Sequence, residues 1–230
     1  MKPGDVLSYI EMCQYEGLSL QRGMNYRSAG GTSIVLMSLR PGAPYADRVE
    51  NEGRTLVYEG HNVPRTPGGA DPKSVDQPYT SQSGRKTQNG LFFDAAMAHK
   101  RDGARPEIVR VYEKIRDGIW TYNGVFELRD AWQERSGPRQ VYKFKLEIVP
   151  DMVQPSAHPD HASDNDRLIP SSVKVQVWKR DKGACAMCGS QKDLHFDHII
   201  PYSKGGSSRD PKNIQILCRR HNLAKHDNIE

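Results

Sequence analysis

Three of the four cysteines lie beside a histidine in the C-terminal part of the sequence. Cys185 and Cys188 form a Cys-x2-Cys pair, and Cys218 and His221 follow after 29 intervening residues. Two thiolates presented by one turn, with a Cys and a His one helical turn apart, make the tetrahedral donor set that zinc prefers. Four protein ligands leave no position for water. We therefore expect a structural Zn2+ ion whose binding energy supplies much of the folding energy of a small unit.

The 29 residues between the two ligand pairs are more than a simple zinc ribbon requires, which indicates a role beyond folding. The run 195–201, His-Phe-Asp-His-Ile-Ile-Pro, contains Asp197 and His198, and Asn213 follows after a Gly-Gly pair. A neutral imidazole, with a reference pKa of about 6.5, accepts a proton from water at neutral pH. A carboxylate is an oxygen ligand of the kind that hard divalent cations prefer. Adjacent residues of an ideal strand point to opposite faces, so Asp197 and His198 share one site only where the strand bends or ends, as Pro201 suggests.

Together with Lys225, these residues resemble the HNH nucleases of the ββα-metal fold over roughly Val173–Asp227. The resemblance implies that His198 is the general base and that Asp197 is a ligand of a catalytic Mg2+ or Mn2+ ion. It also implies that Asn213 braces the loop that bears His198. The C-terminal region is accordingly predicted to be a small zinc-stabilised ββα-metal domain with nuclease activity.

The third residue of the family's motif normally follows the last zinc ligand, and that position holds Asn222 here. If His221 binds zinc, the carbonyl oxygen of Asn222 joins the Asp197 carboxylate as a ligand of the catalytic cation. An alternative makes His221 the third catalytic residue and leaves zinc with three protein ligands. His226 is a further alternative for the same role.

The positive charge of the sequence is concentrated in the same region. The net charge is +5, and the last 60 residues carry 11 Lys and Arg against 6 Asp and Glu, whereas the rest carries 22 of each. The excess remains when one zinc ion and three thiolates are added, and a basic patch favours a polyphosphate partner. The candidate phosphate contacts are Lys204, Arg209, Lys212, Arg219, Arg220 and Lys225.

Short β-type runs separated by turn clusters characterise the first 149 residues. The runs are Thr32–Leu39, Thr55–Tyr58, Glu107–Tyr112, Gly118–Glu127 and Gln140–Val149. They predict a curved, mostly antiparallel, barrel-like sheet with few helices, one of them over Gly90–Lys100, and hence an α+β fold class. Residues 150–170 hold four prolines and four aspartates without periodicity. They are predicted to link a domain at 1–149 to a domain at 171–230.

Five motifs occur in order within roughly residues 18–149. They are Tyr-Ala-Asp-Arg at 45–48, Val-Tyr-Glu-Gly-His-Asn at 57–62, Gln-Asn-Gly-Leu-Phe at 88–92, Val-Arg-Val-Tyr at 109–112 and Tyr-Asn-Gly-Val-Phe at 122–126. Together they resemble the SRA domain, a family that reads modified cytosine by flipping it out of duplex DNA. The signature tripeptide of that family is Tyr-Asp-Gly, and Asn123 replaces its Asp here.

A flipped pyrimidine needs aromatic faces for stacking and a polar group for its Watson–Crick edge, because the pocket must recover the energy of extrusion. Tyr45 and Tyr58 are the candidate faces. Asp47 is the candidate acceptor for the exocyclic amine that cytosine has and thymine lacks. Glu50 is the alternative acid, because the stretch between the two tyrosines carries an insertion. The residues predicted to enter the DNA grooves are His61, Asn62, Arg85 and Lys86.

Joined, the two parts predict a modification-dependent restriction endonuclease that resembles the two-domain SRA–HNH enzymes of bacteria. Its expected partner is duplex DNA that contains 5-methylcytosine or 5-hydroxymethylcytosine. Because a double-strand break needs two strand cuts, we predict a homodimer or paired binding. Two alternatives stay open: a non-catalytic reader with a structural zinc module, and a nicking nuclease that ignores modification.

The sequence also argues against a membrane protein. No apolar run approaches the roughly 18 residues that a spanning helix needs, and the first residues lack the apolar stretch of a signal peptide. We therefore expect a location in the bacterial cytoplasm.

Overall fold

Eight strands form where β-branched and aromatic runs occur in the N-terminal part of the chain. The computed structural model describes residues 1–28, 31–149, 168–201 and 204–225. The strands are β1 (Val6–Ser8), β2 (Met24–Asn25), β3 (Ser33–Met37), β4 (Arg48–Glu50), β5 (Thr55–Glu59), β6 (Glu107–Arg116), β7 (Ile119–Ser136) and β8 (Arg139–Ile148). All five predicted strands are confirmed, although β7 continues well beyond its predicted end at Glu127.

The eight strands belong to one sheet in which most neighbours run antiparallel. The order is β2-β3-β6-β7-β8-β5-β4, and β1 pairs with β7 outside this path. Among the described strands, only β3 and β6 pair in parallel. The two end strands, β2 and β4, do not pair with each other in the described part of the chain, so the sheet is open rather than closed into a barrel. The predicted α+β class is confirmed.

A long helix, α2 (Gln88–Asp102), packs against this sheet. It begins at Thr87, whose hydroxyl caps the first turn, and it ends at Gly103 in the left-handed conformation that favours glycine. The ring of Phe92 packs edge-on against that of Phe144, with 5.9 Å between the ring centroids. The main hydrophobic core therefore lies between α2 and the sheet.

A shorter helix, α1 (Tyr9–Glu16), follows β1 and begins with a capping box formed by Ser8 and Glu11. Its Met12 side chain packs with Tyr112 in a second, smaller apolar cluster. None of the helices in the described part of the chain has the length and apolar character needed to cross a membrane.

The C-terminal part forms a small unit of two helices and a hairpin. Its elements are α3 (Ser171–Arg180), β9 (Leu194–His198), β10 (Ile214–Cys218) and α4 (Arg219–Lys225). β9 and β10 pair antiparallel, with His198 opposite Ile214. Apolar side chains from α3 and both strands form a separate core, in which Val177 and Ile216 are fully buried. The succession of β9, β10 and α4 has the predicted ββα order, and we call α3 to α4 the ββα unit.

The predicted linker, 150–170, lies largely outside the described residues. Its last three residues are described, and Leu168 and Ile169 are buried. Leu168 packs with the N-terminal core, and Ile169 packs with the core of the ββα unit. The chain therefore enters the ββα unit through contacts with both cores.

Candidate functional site

Four candidate metal ligands converge in the ββα unit. The sulfur atoms of Cys185, Cys188 and Cys218 and a ring nitrogen of His221 all lie within 4.8 Å of one another. His221 Nδ1 is 3.4 Å from the Cys185 sulfur and 3.3 Å from the Cys218 sulfur. The Cys188 and Cys218 sulfurs are 3.9 Å apart. Zinc with its usual bond lengths separates tetrahedral ligands by about 3.8 Å for two sulfurs and about 3.6 Å for sulfur and nitrogen. The cluster therefore fits a bound metal ion of this kind.

The local backbone positions each of these ligands. Cys185 and Cys188 lie in a turn after α3, in which Gly189 N donates to the Cys185 carbonyl. Cys218 ends β10, and His221 lies in the first turn of α4. Burial raises the pKa of the Cys185 thiol, but backbone N–H groups, chiefly that of Cys218, outweigh burial and lower the pKa to about 6. Such a group is largely thiolate at neutral pH, and the thiolate is the form that binds a metal.

His198 lies at the end of β9, on the face that points into the core of the ββα unit. Leu194, Phe196 and His198 are buried, whereas the alternate residues of the strand are partly exposed. His198 Nε2 is 2.9 Å from the Ser208 hydroxyl oxygen. When Nε2–H donates to that oxygen, the basic lone pair of the neutral ring is on Nδ1. Ser208 is therefore a polar partner of this imidazole, a contact that no sequence motif indicated.

Asn213 holds the loop that follows His198. Its side-chain oxygen accepts a hydrogen bond from Ile200 N at 2.8 Å. Its amide nitrogen donates to the carbonyls of Ile200 at 3.0 Å and of Ser207 at 3.2 Å. Gly206 allows the loop to close, because a Cβ atom there would lie 1.8 Å from the Ile200 carbonyl oxygen. These contacts agree with the bracing role expected of Asn213.

Asp197 lies on the opposite face of β9 and points to α4. Its carboxylate is 2.8 Å from the Lys225 ammonium, which also donates to the His198 carbonyl. Asn222 lies three residues before Lys225 and therefore on the same side of α4. A carboxylate and an amide oxygen are hard donors of the kind that Mg2+ and Mn2+ prefer. Asp197 and Asn222 thus offer oxygen donors of the type that such a cation binds, and the Lys225 ammonium lies on one oxygen of the Asp197 carboxylate.

Lys225 differs from the exposed phosphate contact that the sequence predicted. Its side chain is only 1% exposed, because its ammonium group is directed to Asp197. The other candidate contacts of the ββα unit are on the surface: Lys204, Arg209, Lys212, Arg219 and Arg220. His226, the further alternative for the third catalytic residue, lies outside the described residues.

A cavity of about 450 Å³ lies between β3, β5 and the loop at residues 38–45. All three residues predicted to hold a base line this cavity, namely Tyr45, Asp47 and Tyr58. Trp120 of β7 adds a further aromatic side chain. Cationic side chains also line it, and these are Arg22, Arg40 and Lys114. The volume lies in the usual range of small-molecule sites, roughly 300–1,000 Å³.

Two backbone N–H groups hold the Asp47 carboxyl group. Oδ1 accepts a hydrogen bond from Glu59 N at 2.9 Å, and Oδ2 accepts one from Ser38 N at 3.2 Å. Burial raises the pKa of Asp47 to about 7, although both hydrogen bonds oppose the shift. Near neutral pH this group therefore exists both as a carboxylate, which accepts hydrogen bonds, and as an acid, which donates one.

A buried ion pair positions the backbone next to Asp47. Lys143 Nζ is 2.9 Å from Glu59 Oε2, and both side chains are 2% exposed. The pair holds Ala46 at both backbone groups: Ala46 N donates to Glu59 at 3.1 Å, and Lys143 donates to the Ala46 carbonyl at 3.1 Å. Arg139 adds a second cation, 3.2 Å from Glu59. Sequence reasoning missed this pair because strand alternation alone does not distinguish a buried lysine from a solvated one.

The two candidate stacking rings differ in their exposure. Tyr58 is 2% exposed, and its hydroxyl donates to the Gly23 carbonyl at 3.0 Å. Tyr45 is half-buried, and the Lys73 ammonium lies 4.9 Å from the centre of its ring. Tyr45 is therefore the better placed of the two to stack on a ligand, whereas Tyr58 forms part of the wall. Glu50, the alternative acid, lines a different cleft.

The predicted groove contacts are also unequal. Arg85 is exposed in a surface turn. The side-chain oxygen of Asn62 accepts hydrogen bonds from Gln77 at 3.2 Å and from Arg139. The backbone N–H of His61 is tied to helix α2, and its ring is half-buried. In this structure Asn62 and His61 stabilise their own loop, while Arg85 is accessible to a partner.

The chain is similar to solved structures of the SUVH5 SRA domain and of SUVH6. A crystal structure of the SUVH5 SRA–fully methylated CG DNA complex has 23% identity and a TM-score of 0.45, and the match covers 67% of this chain and 92% of that chain. The complex of SUVH5 SRA with hemi-methylated CG DNA has 23% identity and a TM-score of 0.45, with coverage of 69% and 94%. Arabidopsis thaliana SUVH6 in complex with SAM has 21% identity and a TM-score of 0.44, with coverage of 76% and 28%. A search of the curated proteins found no match.

The family model described as HNH endonuclease matches residues 185–228. The matched range begins at the first cysteine of the metal cluster and contains β9, β10 and α4. It therefore includes both the metal cluster and the residues that surround Asp197 and His198. The C-terminal part of this chain thus carries the sequence features of the HNH endonuclease family.

Proposed function

We propose that this protein is a DNA endonuclease that binds a modified cytosine in the cavity of the N-terminal sheet and hydrolyses a nearby phosphodiester bond at the ββα unit. Its substrate is duplex DNA that contains 5-methylcytosine or 5-hydroxymethylcytosine. The observation that carries the proposal is the position of an imidazole, His198, and a carboxylate, Asp197, at the end of one strand in a segment that matches the HNH endonuclease model.

His198 is the general base of the proposed reaction. Its neutral imidazole accepts a proton from the attacking water while the water oxygen forms a bond to phosphorus. The bond from phosphorus to one bridging oxygen breaks, and that oxygen leaves with the end of the cut strand. Nε2 lies 2.9 Å from the Ser208 hydroxyl oxygen, and in the tautomer in which Nε2–H donates to that oxygen the ring accepts the proton at Nδ1.

Asp197 and Asn222 would hold the catalytic Mg2+ or Mn2+ ion. When bound, such a cation supplies a Lewis acid that offsets charge on the phosphate and on the leaving oxygen. Lys225 orients the Asp197 carboxylate through its hydrogen bond at 2.8 Å. The separate cluster of three cysteines and His221 holds a structural Zn2+ ion, because four protein ligands leave no coordination position for substrate.

The cavity of the N-terminal sheet would receive the flipped base. Tyr45 and Trp120 provide aromatic faces, and the Asp47 carboxylate accepts a hydrogen bond from the exocyclic amine of cytosine. The cations that line the cavity, Arg22, Arg40 and Lys114, suit the phosphates that flank an extruded nucleotide. The order of motifs that resembles the SRA domain supports the same assignment.

A cleavage assay tests the proposal. Otherwise identical plasmids with cytosine, 5-methylcytosine or 5-hydroxymethylcytosine are incubated with the protein and Mg2+ or Mn2+. We expect the wild type to cut modified DNA and to leave unmodified DNA intact. His198→Ala should abolish cutting but retain binding, whereas His99→Ala, which removes a histidine of α2 remote from the site, should cut like the wild type.

Each contrary result identifies one of the alternatives. Binding without cleavage by the wild type would indicate a reader with a structural zinc module. Equal cutting of all plasmids would indicate a nuclease that ignores modification. Cutting by His198→Ala at the wild-type rate would remove this residue from the mechanism.

A further inference from the structure

A lysine of the ββα unit is buried against the N-terminal sheet. Lys174, in α3, is 2% exposed, and its ammonium lies 2.7 Å from Glu113 Oε2 of β6. It also donates to Asn123 Oδ1 of β7 at 2.7 Å. The Ser171 hydroxyl, in the first turn of α3, donates to the other oxygen of Glu113. The helix that begins the ββα unit is thus bonded to two central strands of the sheet.

Asn123 completes this network as both donor and acceptor. Its amide nitrogen donates to Glu113 at 3.0 Å, while its oxygen accepts from Lys174. An aspartate, which the SRA resemblance would place here, cannot donate to Glu113 when ionised. It would also set two buried carboxylates against one ammonium group. An asparagine at position 123 is therefore compatible with the buried ammonium of Lys174. Its amide nitrogen also lies 3.6 Å from the sulfur of Met37, a residue that lines the cavity between β3, β5 and the loop at residues 38–45.

The first residues of the chain form a second connection between the two parts. Gly4 N donates to the Tyr122 carbonyl of β7 at 2.8 Å, and the Gly4 carbonyl accepts from Phe196 N of β9 at 3.0 Å. The adjacent Asp5 carboxylate is 3.0 Å from His195 Nδ1. A Cβ atom on Gly4 would lie 2.9 Å from the His195 ring, so glycine permits this close approach. The strand that bears Asp197 and His198 is therefore held to the sheet by backbone hydrogen bonds.

From these contacts we infer that the ββα unit is docked on the N-terminal sheet and that this docking, rather than the length of the linker, sets the distance between the bound base and the cut. Lys174, Glu113 and Asn123 are the positioning residues. The inference rests on the proposed function and adds to it a fixed spacing. Separation would break the hydrogen bonds of Ser171 and Lys174 to the sheet and that of Gly4 to β9 together, and it would expose the side of Val6 that packs on the core of the ββα unit, so the two parts move as one body.

Lengthening the linker distinguishes docking from tethering. About eight Gly and Ser residues inserted between His161 and Ala162 add up to about 26 Å of reach. Along duplex DNA this corresponds to roughly seven or eight base pairs. Cut positions are mapped on a long duplex with a single modified cytosine. Docking predicts that the extended chain cuts at the wild-type positions, whereas a spread or a shift of the cuts would overturn the inference.

The positioning residues are tested in the extended chain. Lys174→Met and, as a milder change, Asn123→Asp should each broaden the distribution of cuts, because the extended linker then determines the reach. Lys179→Met, on an exposed position of the same helix, should leave the distribution unchanged. Wild-type positions retained by both Lys174→Met and Asn123→Asp would overturn the role of this network.

A measurement without DNA separates this inference from the proposed function. Small-angle X-ray scattering of the extended chain should give the same maximum dimension as the wild type if the parts are docked. An increase would overturn docking even if cleavage depends on modification. Unchanged dimensions in a protein that cuts no modified DNA would leave docking correct and the proposed function wrong.

Discussion

The two candidate sites of this protein are assembled over very different lengths of sequence. The metal cluster and the residues of the proposed hydrolysis all lie between Cys185 and Lys225, on the turn after α3, the β9–β10 hairpin and α4. The cavity of the N-terminal sheet, where a base is proposed to bind, is lined by residues that range from Leu20 to Trp120. These residues come together because the sheet brings their strands together. The first site depends on local ligation for its geometry, and the second depends on a large hydrophobic core.

The two sites also hold their acids in different ways. Asp197 is balanced by the ammonium of Lys225 at 2.8 Å. Both oxygens of Asp47 accept hydrogen bonds from backbone N–H groups, and burial raises the pKa of Asp47 to about 7. Asp197 is therefore oriented by a cationic partner, whereas Asp47, with a pKa near 7, can accept or donate a hydrogen bond. Four changes test this contrast.

The largest effect is expected for Cys185→Ala. Structural zinc contributes an apparent binding energy of about 10–16 kcal/mol in small zinc-binding units, so its loss should unfold the ββα unit and leave the N-terminal sheet folded. Zinc content per chain and limited proteolysis measure the two outcomes. Cys13→Ala, which removes a thiol of α1, should retain both metal and protease resistance. Full zinc content in Cys185→Ala would contradict the four-ligand assignment.

Lys143→Met should destabilise the sheet and not the metal cluster. Removing one partner of a buried ion pair costs about 3–5 kcal/mol, because Glu59 keeps its charge with less compensation. We also expect weaker binding of modified DNA, since Ala46 and the adjacent Asp47 lose a support, with zinc content unchanged. Urea unfolding and DNA binding are the measurements. Lys145→Met, which removes a partly exposed pair with Glu147, should cost at most about 1 kcal/mol; equal costs for both variants would refute the assignment.

Asn222→Ala should change the metal requirement of cleavage without affecting folding. Loss of one oxygen ligand is expected to raise the Mn2+ concentration for half-maximal cutting by at least about tenfold. Zinc content and thermal unfolding should match those of the wild type. Leu223→Ala, an exposed neighbour on α4, is the control and should keep the wild-type titration. An unaltered Mn2+ titration of Asn222→Ala would exclude this side chain as a ligand.

Asp47→Asn should alter how stability depends on pH. The folded-state pKa of Asp47 is about 7, above the value of about 3.9 in an unfolded chain. Between these values the folded protein retains a proton that the unfolded chain has released, so this group makes the protein less stable as pH rises through that window. The free energy of unfolding of Asp47→Asn minus that of the wild type should therefore be larger at pH 8 than at pH 5. The expected increase is on the order of 1–3 kcal/mol.

Urea unfolding at the two pH values measures this difference. Asp102→Asn, which removes an exposed aspartate at the end of α2, serves as the matched control and should show no such gain. If the stability difference between Asp47→Asn and the wild type is the same at both pH values, folding does not raise the pKa of Asp47. Weaker binding of modified DNA by the wild type at pH 6 than at pH 8 would further indicate that the carboxylate is the form that receives the base.

The fold was predictable where local patterns are strong. Helix α2 and five strands are at the predicted places, because alternation and capping are properties of neighbouring residues. The short strands β1, β2 and β4 were missed because two or three residues are too few to show alternation, and the far end of β7 was missed because its residues are mostly polar. The open form of the sheet was not foreseeable either, because closure depends on whether the two end strands, β2 and β4, pair with each other.

The sequence by itself determined the metal-ligand set and the HNH-like order of residues, because ligand spacing and strand–helix succession within about forty residues are local quantities. Only the tertiary structure decided that Ser208 contacts His198, that the ammonium of Lys225 lies on Asp197, and that Asn123 receives Lys174. Each of these contacts joins a polar group to a partner on another element or loop. Their geometry follows from the packing of those elements and from the need to pair every buried charge. The spacing of residues along the chain predicts neither of these.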